Sequence, residues 1–278
     1  LEAGLRKGRN DQVAVEEPLE IRMEYWADGS RLTRPVSVTM RTPGNDFELA
    51  AGFLFSEDIL RVPEDVREIS YCQDESPQEY NIVSVRLRDE VSFDPSVLNR
   101  NFYTTSSCGV CGKASMEAVE ARGCTPLPSG TLAVEADRIA GLPDLLLEGQ
   151  SAFQKTGGLH AAGLFDAQGR LEILREDVGR HNAVDKVVGQ GFLEGALPWN
   201  DRILVVSGRT SFEIIQKAVR AGIAMVVAVG APSSLAVDLA RQFHLTLVGF
   251  ARAGGFNLYS GEERVLDWRG AGSDATEA

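Results

Sequence analysis

The sequence predicts an α/β protein in two parts. A small α+β unit is expected over residues 1–98, and a larger α/β domain over residues 99–268, built on a mixed, partly parallel sheet; a polar tail at 269–278 is expected to lack order. Three observations predict this. Residues 203–206 (ILVV), 225–229 (MVVAV) and 245–248 (LTLV) are apolar runs without alternation, the pattern of strands covered on both faces in a parallel sheet. Helix-compatible stretches at 211–221 and 233–243 separate them, a β-α-β-α-β order whose crossovers are expected to be right-handed. Near the N-terminus, by contrast, apolar and polar residues alternate with period two.

Taken in order, residues 1–18 are polar. In 19–26 the alternating set is Leu19, Ile21, Met23 and Tyr25, and beyond an Asp28-Gly29 turn Val36, Val38 and Met40 alternate again. The two runs predict a hairpin with a loop of several residues. The stretch TPGND at 42–46 stops it, and Asp46 is expected to cap a helix over 47–59 with Phe47, Ala50, Ala51 and Leu54 on one face. Strands near 66–72 and 81–87 complete the small unit. A helix at 113–121, a Pro/Gly-punctuated stretch at 125–130 and a second helix at 137–150 follow. Residues 158–165 and 170–175 predict a hairpin about DAQG at 166–169. Residues 176–182 read as a polar loop, and 183–188 as the start of a short helix.

The 278 residues carry a net charge of −12, with 44% hydrophobic and 24% charged residues. That balance is ordinary for a folded soluble protein with a sizeable core. The acidity argues against nucleic-acid binding and against anionic membrane surfaces, both of which need a basic face. No run approaches the apolar length of a spanning helix, and the opening LEAGLRKGRN has no apolar stretch of a secretory leader. Four cysteines in a chain of this length are no disulfide framework, so reduced thiols and a cytoplasmic location are expected. Cys72 and Cys124 read as small packing residues.

The chemistry concentrates in residues 104–116, TTSSCGVCGKASM. Cys108 and Cys111 stand in Cys-x-x-Cys spacing with Gly109 and Gly112, ahead of the helix-forming run. Unpaired N–H groups and the helix dipole there stabilise a thiolate. Zinc held by Cys108, Cys111 and His160 or His181 would make a three-ligand catalytic site. The order of motifs is reversed from that of zinc deaminases, however, and His160-Ala161-Ala162 has Ala where their general acid/base Glu belongs. No second close cysteine pair offers a structural four-cysteine site, and no strand leads directly into the motif as in thioredoxin-like redox pairs. A zinc hydrolase is therefore the lesser alternative, and no structural metal is expected. Nucleophilic thiolate chemistry remains: a mobile cysteine attacks a sulfane sulfur, holds it as a persulfide and delivers it. The second cysteine passes the sulfur on, or releases it by forming a disulfide.

Three further segments are candidates for binding. The strand ends carry Ser207-Gly208-Arg209-Thr210-Ser211 and Gly230-Ala231-Pro232-Ser233-Ser234, each a small-residue turn before a helix. Ligands of open α/β sheets sit at such ends, and helix N-termini there attract anions. Ordinary βα loops with Ser/Thr caps are the plainer alternative. The run 175–186, REDVGRHNAVDK, places His181 and Asn182 beside a glycine at a helix entry; it is either a ligand-contacting loop or a capping and salt-bridge region. His160, among the small residues of TGGLHAAG at 156–163, is either a ligand contact or a satisfied core histidine. His244 has no such context.

The segments SSCGVCGK, TGGLHAAGL, REDVGRHNAVDK, VVSGRTSFEIIQKA, VGAPSSLAVDLA and GFARAGGFNLYS, in that order, closely resemble the FdhD family of formate dehydrogenase accessory sulfur carriers. The resemblance spans roughly residues 19–260. It implies a cytidine-deaminase-like three-layer domain plus a smaller α+β domain, a homodimer, and sulfurtransferase activity. By the same resemblance, a cysteine desulfurase loads a persulfide on Cys108, with Cys111 as its partner. The sulfur passes to the molybdenum bis(molybdopterin guanine dinucleotide) cofactor before that cofactor enters formate dehydrogenase. The family's cofactor segment matches Phe250, Ala251, Arg252, Ala253, Gly254 and Gly255, and guanine nucleotides are implied to occupy the same pockets. At 255 this chain has Gly where many members carry a basic residue, which leaves Arg252 as the phosphate contact of that segment. Ser207, Gly208, Arg209, Thr210, Ser211, Gly230 and Ser233 are expected to hold the cofactor, with His160 and His181 as secondary contacts.

Overall fold

The computed structural model describes residues 10–27, 29–72, 80–91, 93 and 124–267. The cysteine segment with Cys108 and Cys111, the helix expected at 113–121 and the C-terminal tail lie outside the described residues.

The N-terminal alternation folds as expected into a half-buried sheet. β1 (Glu17–Ala27) pairs antiparallel with β2 (Ser30–Arg41), and β3 (Val66–Tyr71) and β4 (Ile82–Leu87) complete an order β2-β1-β4-β3. Leu19, Ile21, Met23 and Tyr25 are all buried on one face of β1. The hairpin is tighter than its sequence implied: Ala27 pairs with Ser30, and pairing runs the full length with one bulge at Ile21/Arg22. Thr33 and Arg34 are polar yet remain in the ladder because β2 is an edge strand, where solvated side chains cost nothing.

Helix α1 (Asp46–Ser56) departs from expectation at both ends. Its cap is Asn45, in the left-handed region at φ 58°, where a short amide side chain is tolerated. Asp46 lies inside the first turn, where it is buried against Arg41 with two guanidinium bonds of 3.0 and 3.1 Å. The helix stops at Ser56, and the Ile59 N–H turns back to the Leu54 carbonyl at 2.9 Å.

The second sheet has the order β11-β10-β9-β8-β6-β7. Its strands are β6 (His160–Phe165), β7 (Leu171–Asp177), β8 (Ile203–Val206), β9 (Met225–Ala228), β10 (Thr246–Arg252) and β11 (Gly255–Ser260). β8, β9 and β10 are parallel, while β6, β7 and β11 pair antiparallel. The sheet is mixed and partly parallel, as the sequence predicts. A short parallel pair, β5 (Val134–Glu135) with β12 (Val265–Leu266), closes the far side.

Helices cover both faces of this sheet. Alternate strand residues separate cleanly: Ile203, Val205, Met225 and Val227 pack with Ile139, Leu142 and Leu146 of α2 (Ala136–Gly149). Leu204, Val206, Val226 and Ala228 pack with α4 (Arg180–Leu193), α5 (Phe212–Arg220) and α6 (Ser234–Gln242). Two-sided burial is what the unbroken apolar runs require, each fully buried aliphatic contributing about 1.5–3 kcal/mol. A short α3 (Ser151–Thr156) follows α2. The N-terminal sheet and α1 share one hydrophobic cluster with α4, α5 and α6.

The largest correction concerns residues 176–188. β7 runs through Asp177, and α4 begins at Arg180 and continues for 14 residues, so there is neither a polar loop to 182 nor a short helix. The charges are buried in pairs. Lys186 Nζ lies 2.7 Å from Asp177, which also accepts from the Thr42 and Gly179 N–H groups and from Asn182. Lys217 of α5 donates to both oxygens of Asp185 at 2.8 and 3.0 Å, and Ser56 Oγ donates to Asp185 as well. Both clusters sit where α1 and the end of β2 meet α4. Cys72 and Cys124 are half-buried, the latter against the shared core.

Candidate functional site

The carboxyl ends of β8, β9 and β10 and the amino end of the antiparallel β6 open onto a cleft of about 590 Å³. Its floor carries His160, Ser207, Val229, Ala251 and Arg252; its wall is Pro143, Leu146 and Leu147 of α2 with Phe153 of α3. Gly157 and Gly158 form the rim, and Gly157 stands at φ 65°, the left-handed end of α3. The cleft thus unites three separate segments of the sequence: His160, Ser207, and the pair Ala251 and Arg252. The apolar wall from α2 and α3 was not foreseen. The α2 residues read only as a helix, because lining a cleft and packing a core call for the same side chains, and Phe153 lay beyond the expected helix end at 150.

Hydrogen bonds stitch the turns below the cleft together. The Ser207 N–H donates to the Ala161 carbonyl, and the Ala161 N–H donates to Ser207 Oγ at 2.9 Å, which fixes the start of β6 against the end of β8. The Gly230 N–H donates to the Gly208 carbonyl, the Ser233 N–H to the Thr210 carbonyl, and the Phe250 N–H to the Gly230 carbonyl. Gly208 permits close approach: a methyl group there would sit 3.3 Å from His160 Nδ1 and 3.7 Å from Arg180 Cδ. Thr210 is buried, and its Oγ1 has no partner among the described residues. Ser233 caps α6 through the Ala236 N–H. Its side chain and Gly230 do not line the cleft.

Phe250 is 42% exposed and, with Arg252, Ala253, Gly254 and Gly255, frames a separate depression of about 480 Å³ at the β10–β11 turn. Arg252 lines both hollows. His181 is elsewhere: it lines a smaller cavity of about 250 Å³ between β2, α1, α4 and α5, with Asp185, Glu213 and Lys217. Its Nε2 lies 3.0 Å from Ser211 Oγ and 3.1 Å from Glu213.

Both histidines are held neutral. Burial lowers the His181 pKa to about 4, aided by the positive charges of Arg180 and Lys217 and by His160. Glu213 favours the imidazolium, but its side chain is 55% exposed, and water screens it. Burial and then Arg180 also lower the His160 pKa, with Asp177 opposing. The histidines therefore offer hydrogen bonds rather than charge.

Charge comes from arginine. Most described arginines pair with a carboxylate, among them Arg22, Arg86, Arg175, Arg202 and Arg220. Among the described residues Arg180, Arg209 and Arg252 have none; the other such arginine with no hydrogen bond is Arg34, exposed on the edge strand β2. In an acidic chain, three unpaired arginines grouped at the strand ends make a local positive site. Among the described residues no group of three or more His, Cys, Asp or Glu is placed to hold a metal, and no helix is long and apolar enough to cross a membrane.

Comparison with known proteins extends over most of the chain. The chain is 49% identical over 261 residues to the sulfur carrier protein FdhD of Streptomyces avermitilis, covering 92% of this chain and 90% of that one. It is 50% identical over 260 residues to the sulfur carrier protein FdhD of Nocardia farcinica, covering 92% and 89%. A crystal structure from Desulfotalea psychrophila, described as a formate dehydrogenase accessory protein, superposes with a TM-score of 0.72 at 28% identity over 96% of both chains. The model of the FdhD/NarQ family matches residues 14–266, and the chain belongs to that family.

Proposed function

We propose that the chain is a sulfur carrier that serves formate dehydrogenase. In this reading the Cys108 thiolate attacks the terminal sulfur of a cysteine desulfurase persulfide. A bond forms between that sulfur and Cys108, and the donor's thiolate leaves, so the sulfur changes carrier without net oxidation. The acceptor is the molybdenum bis(molybdopterin guanine dinucleotide) cofactor, which is cargo rather than a resident group and receives the sulfur before its insertion. The protein works as a cytoplasmic homodimer on a deaminase-like scaffold, and Cys111 either relays the sulfur or assists its release.

The observation that carries this reading is the cleft at the strand ends, where His160, Ser207 and Arg252 meet beside unpaired arginines. A large anionic guest with planar rings matches both halves of it. The Leu146, Leu147 and Phe153 wall takes apolar ring faces, and the arginines take phosphate oxygens.

The test is transfer of labelled sulfur from a cysteine desulfurase, read by mass spectrometry on Cys108, with Cys108→Ala in parallel. The label is expected on Cys108 and lost in the variant, which also fails to restore formate dehydrogenase activity in a strain lacking its own copy. Full activity from Cys108→Ala would replace the carrier by a cofactor-holding chaperone.

A further inference from the structure

We propose that the cavity of about 250 Å³ between β2, α1, α4 and α5 is a binding site for a small primary ammonium, with Gln216 and Glu213 at its charged end and Leu49 and Phe53 at its alkyl end. The cavity shares no lining residue with the strand-end cleft, so the site lies outside the cofactor reading and stands or falls without it. Pockets for drug-sized ligands begin at about 300 Å³. A guest of a few heavy atoms therefore fits here, and a nucleotide does not.

The first indication is an unbonded buried amide. Gln216 of α5 lines the cavity and is 7% exposed, yet its carboxamide has no hydrogen-bond partner among the described residues. Buried side-chain amides are nearly always bonded, so an unbonded one at a cavity wall points to a guest. Glu213 uses one oxygen on His181 at 3.1 Å, and its other oxygen has no partner among the described residues. Ser37 Oγ, across the ladder from Ile21, has none either. The Gln216 carbonyl, the free Glu213 oxygen and Ser37 Oγ are three acceptors on one cavity wall set, and an ammonium carries three donors.

Charge decides the sign of the guest. The lining holds three carboxylates, Glu57, Asp185 and Glu213, against one lysine, Lys217. Lys217 is committed to Asp185, donating to both of its oxygens at 2.8 and 3.0 Å. His181 is neutral, and Arg180, whose charge reaches His181, is not in the lining. The balance is negative. The other half of the cavity is apolar: Ile21 and Leu49 are buried there, and the Phe53 ring already faces a cation, Lys217 Nζ, at 5.8 Å from its centroid. A bare metal ion has no use for such a wall, and among the described residues no group of three His, Cys, Asp or Glu is placed to hold one. An ammonium with a short alkyl body suits both halves.

Isothermal titration of the full chain at neutral pH and constant ionic strength tests this with three probes of one shape: n-butylammonium, 1-butanol and butyrate. Butylammonium is expected to bind saturably at millimolar concentration, with butanol and butyrate at least tenfold weaker. Gln216→Leu, its fold checked by thermal melt, is expected to weaken butylammonium about tenfold. No saturable binding of butylammonium overturns the site, as does butyrate binding equally well or Gln216→Leu binding within twofold of wild type. If Gln216→Leu does not fold, nuclear Overhauser contacts in the wild type decide: the butyl protons must touch the Phe53 ring and the Leu49 methyls, and their absence overturns the site. Displacement of butylammonium by guanosine diphosphate would merge the cavity with the nucleotide cleft and also overturn it. Sulfur loading of Cys108 is scored separately, so failure of the carrier reading leaves this test intact.

Discussion

Gly52 of α1 and Gly189 of α4 lie face to face, and a methyl group on either would come within 2.8 Å of the other's backbone nitrogen. The first atoms such a methyl would strike are backbone carbonyls, Asp185 for Gly52 and Glu48 for Gly189. Backbone cannot swing aside as a side chain can. This contact lets the helix of the N-terminal sheet seat directly on the helix that leads away from the cleft.

Gly189→Ala is therefore expected to destabilise the protein by about 3 kcal/mol, at the upper end of overpacking costs. Urea unfolding with tryptophan fluorescence measures it. A loss below about 1 kcal/mol would mean that the two helices slide apart freely.

The paired charges beneath that contact are the second lever. Lys186→Met removes the partner of a fully buried Asp177 and leaves a carboxylate with neutral donors only. Breaking such a pair typically costs about 3–5 kcal/mol. We expect a loss in that range by urea unfolding; an unchanged midpoint would show that water reaches Asp177.

These charges also mark the limit of what the sequence reveals. The strands at 203–206 and 225–228 were legible because two-sided burial needs unbroken apolar runs, and their shortness and β-branched content set them apart from a buried helix. The entry to α4 was not legible. Asp177, Asn182, Asp185 and Lys186 look like a solvated face until pairing across elements is known, and pairing leaves no local pattern. Likewise His160, Ser207 and Arg252 could each be singled out as loop or strand-end residues. That Arg180 reaches the same turn follows only from where α4 starts.

The pH dependence of stability should report His181. Its folded pKa, about 4, lies below the ordinary value of 6.5, so the unfolded chain binds the extra proton between those limits. Stability from this group is complete above pH 6.5 and is lost as pH falls toward 4, by at most ~3 kcal/mol. His160 shifts in the same direction and adds to the slope. His181→Asn is expected to flatten the decline between pH 6.5 and 4 in thermal melts. A decline as steep in the variant as in the wild type would assign it to other groups.

Arg252 separates binding from folding. Its side chain is exposed, lines both hollows at the end of β10 and has no acceptor among the described residues, so the fold does not depend on it. Arg252→Gln should leave the melting temperature unchanged. If the cleft receives a guanine nucleotide, the loss of one charge-assisted contact weakens guanosine diphosphate about tenfold, or ~1.4 kcal/mol. Guanosine without phosphate is the control, since its contacts would be with the α2–α3 wall and should not change. Equal weakening of both would place Arg252 against the base, and no weakening of either would place the phosphates away from the β10 end.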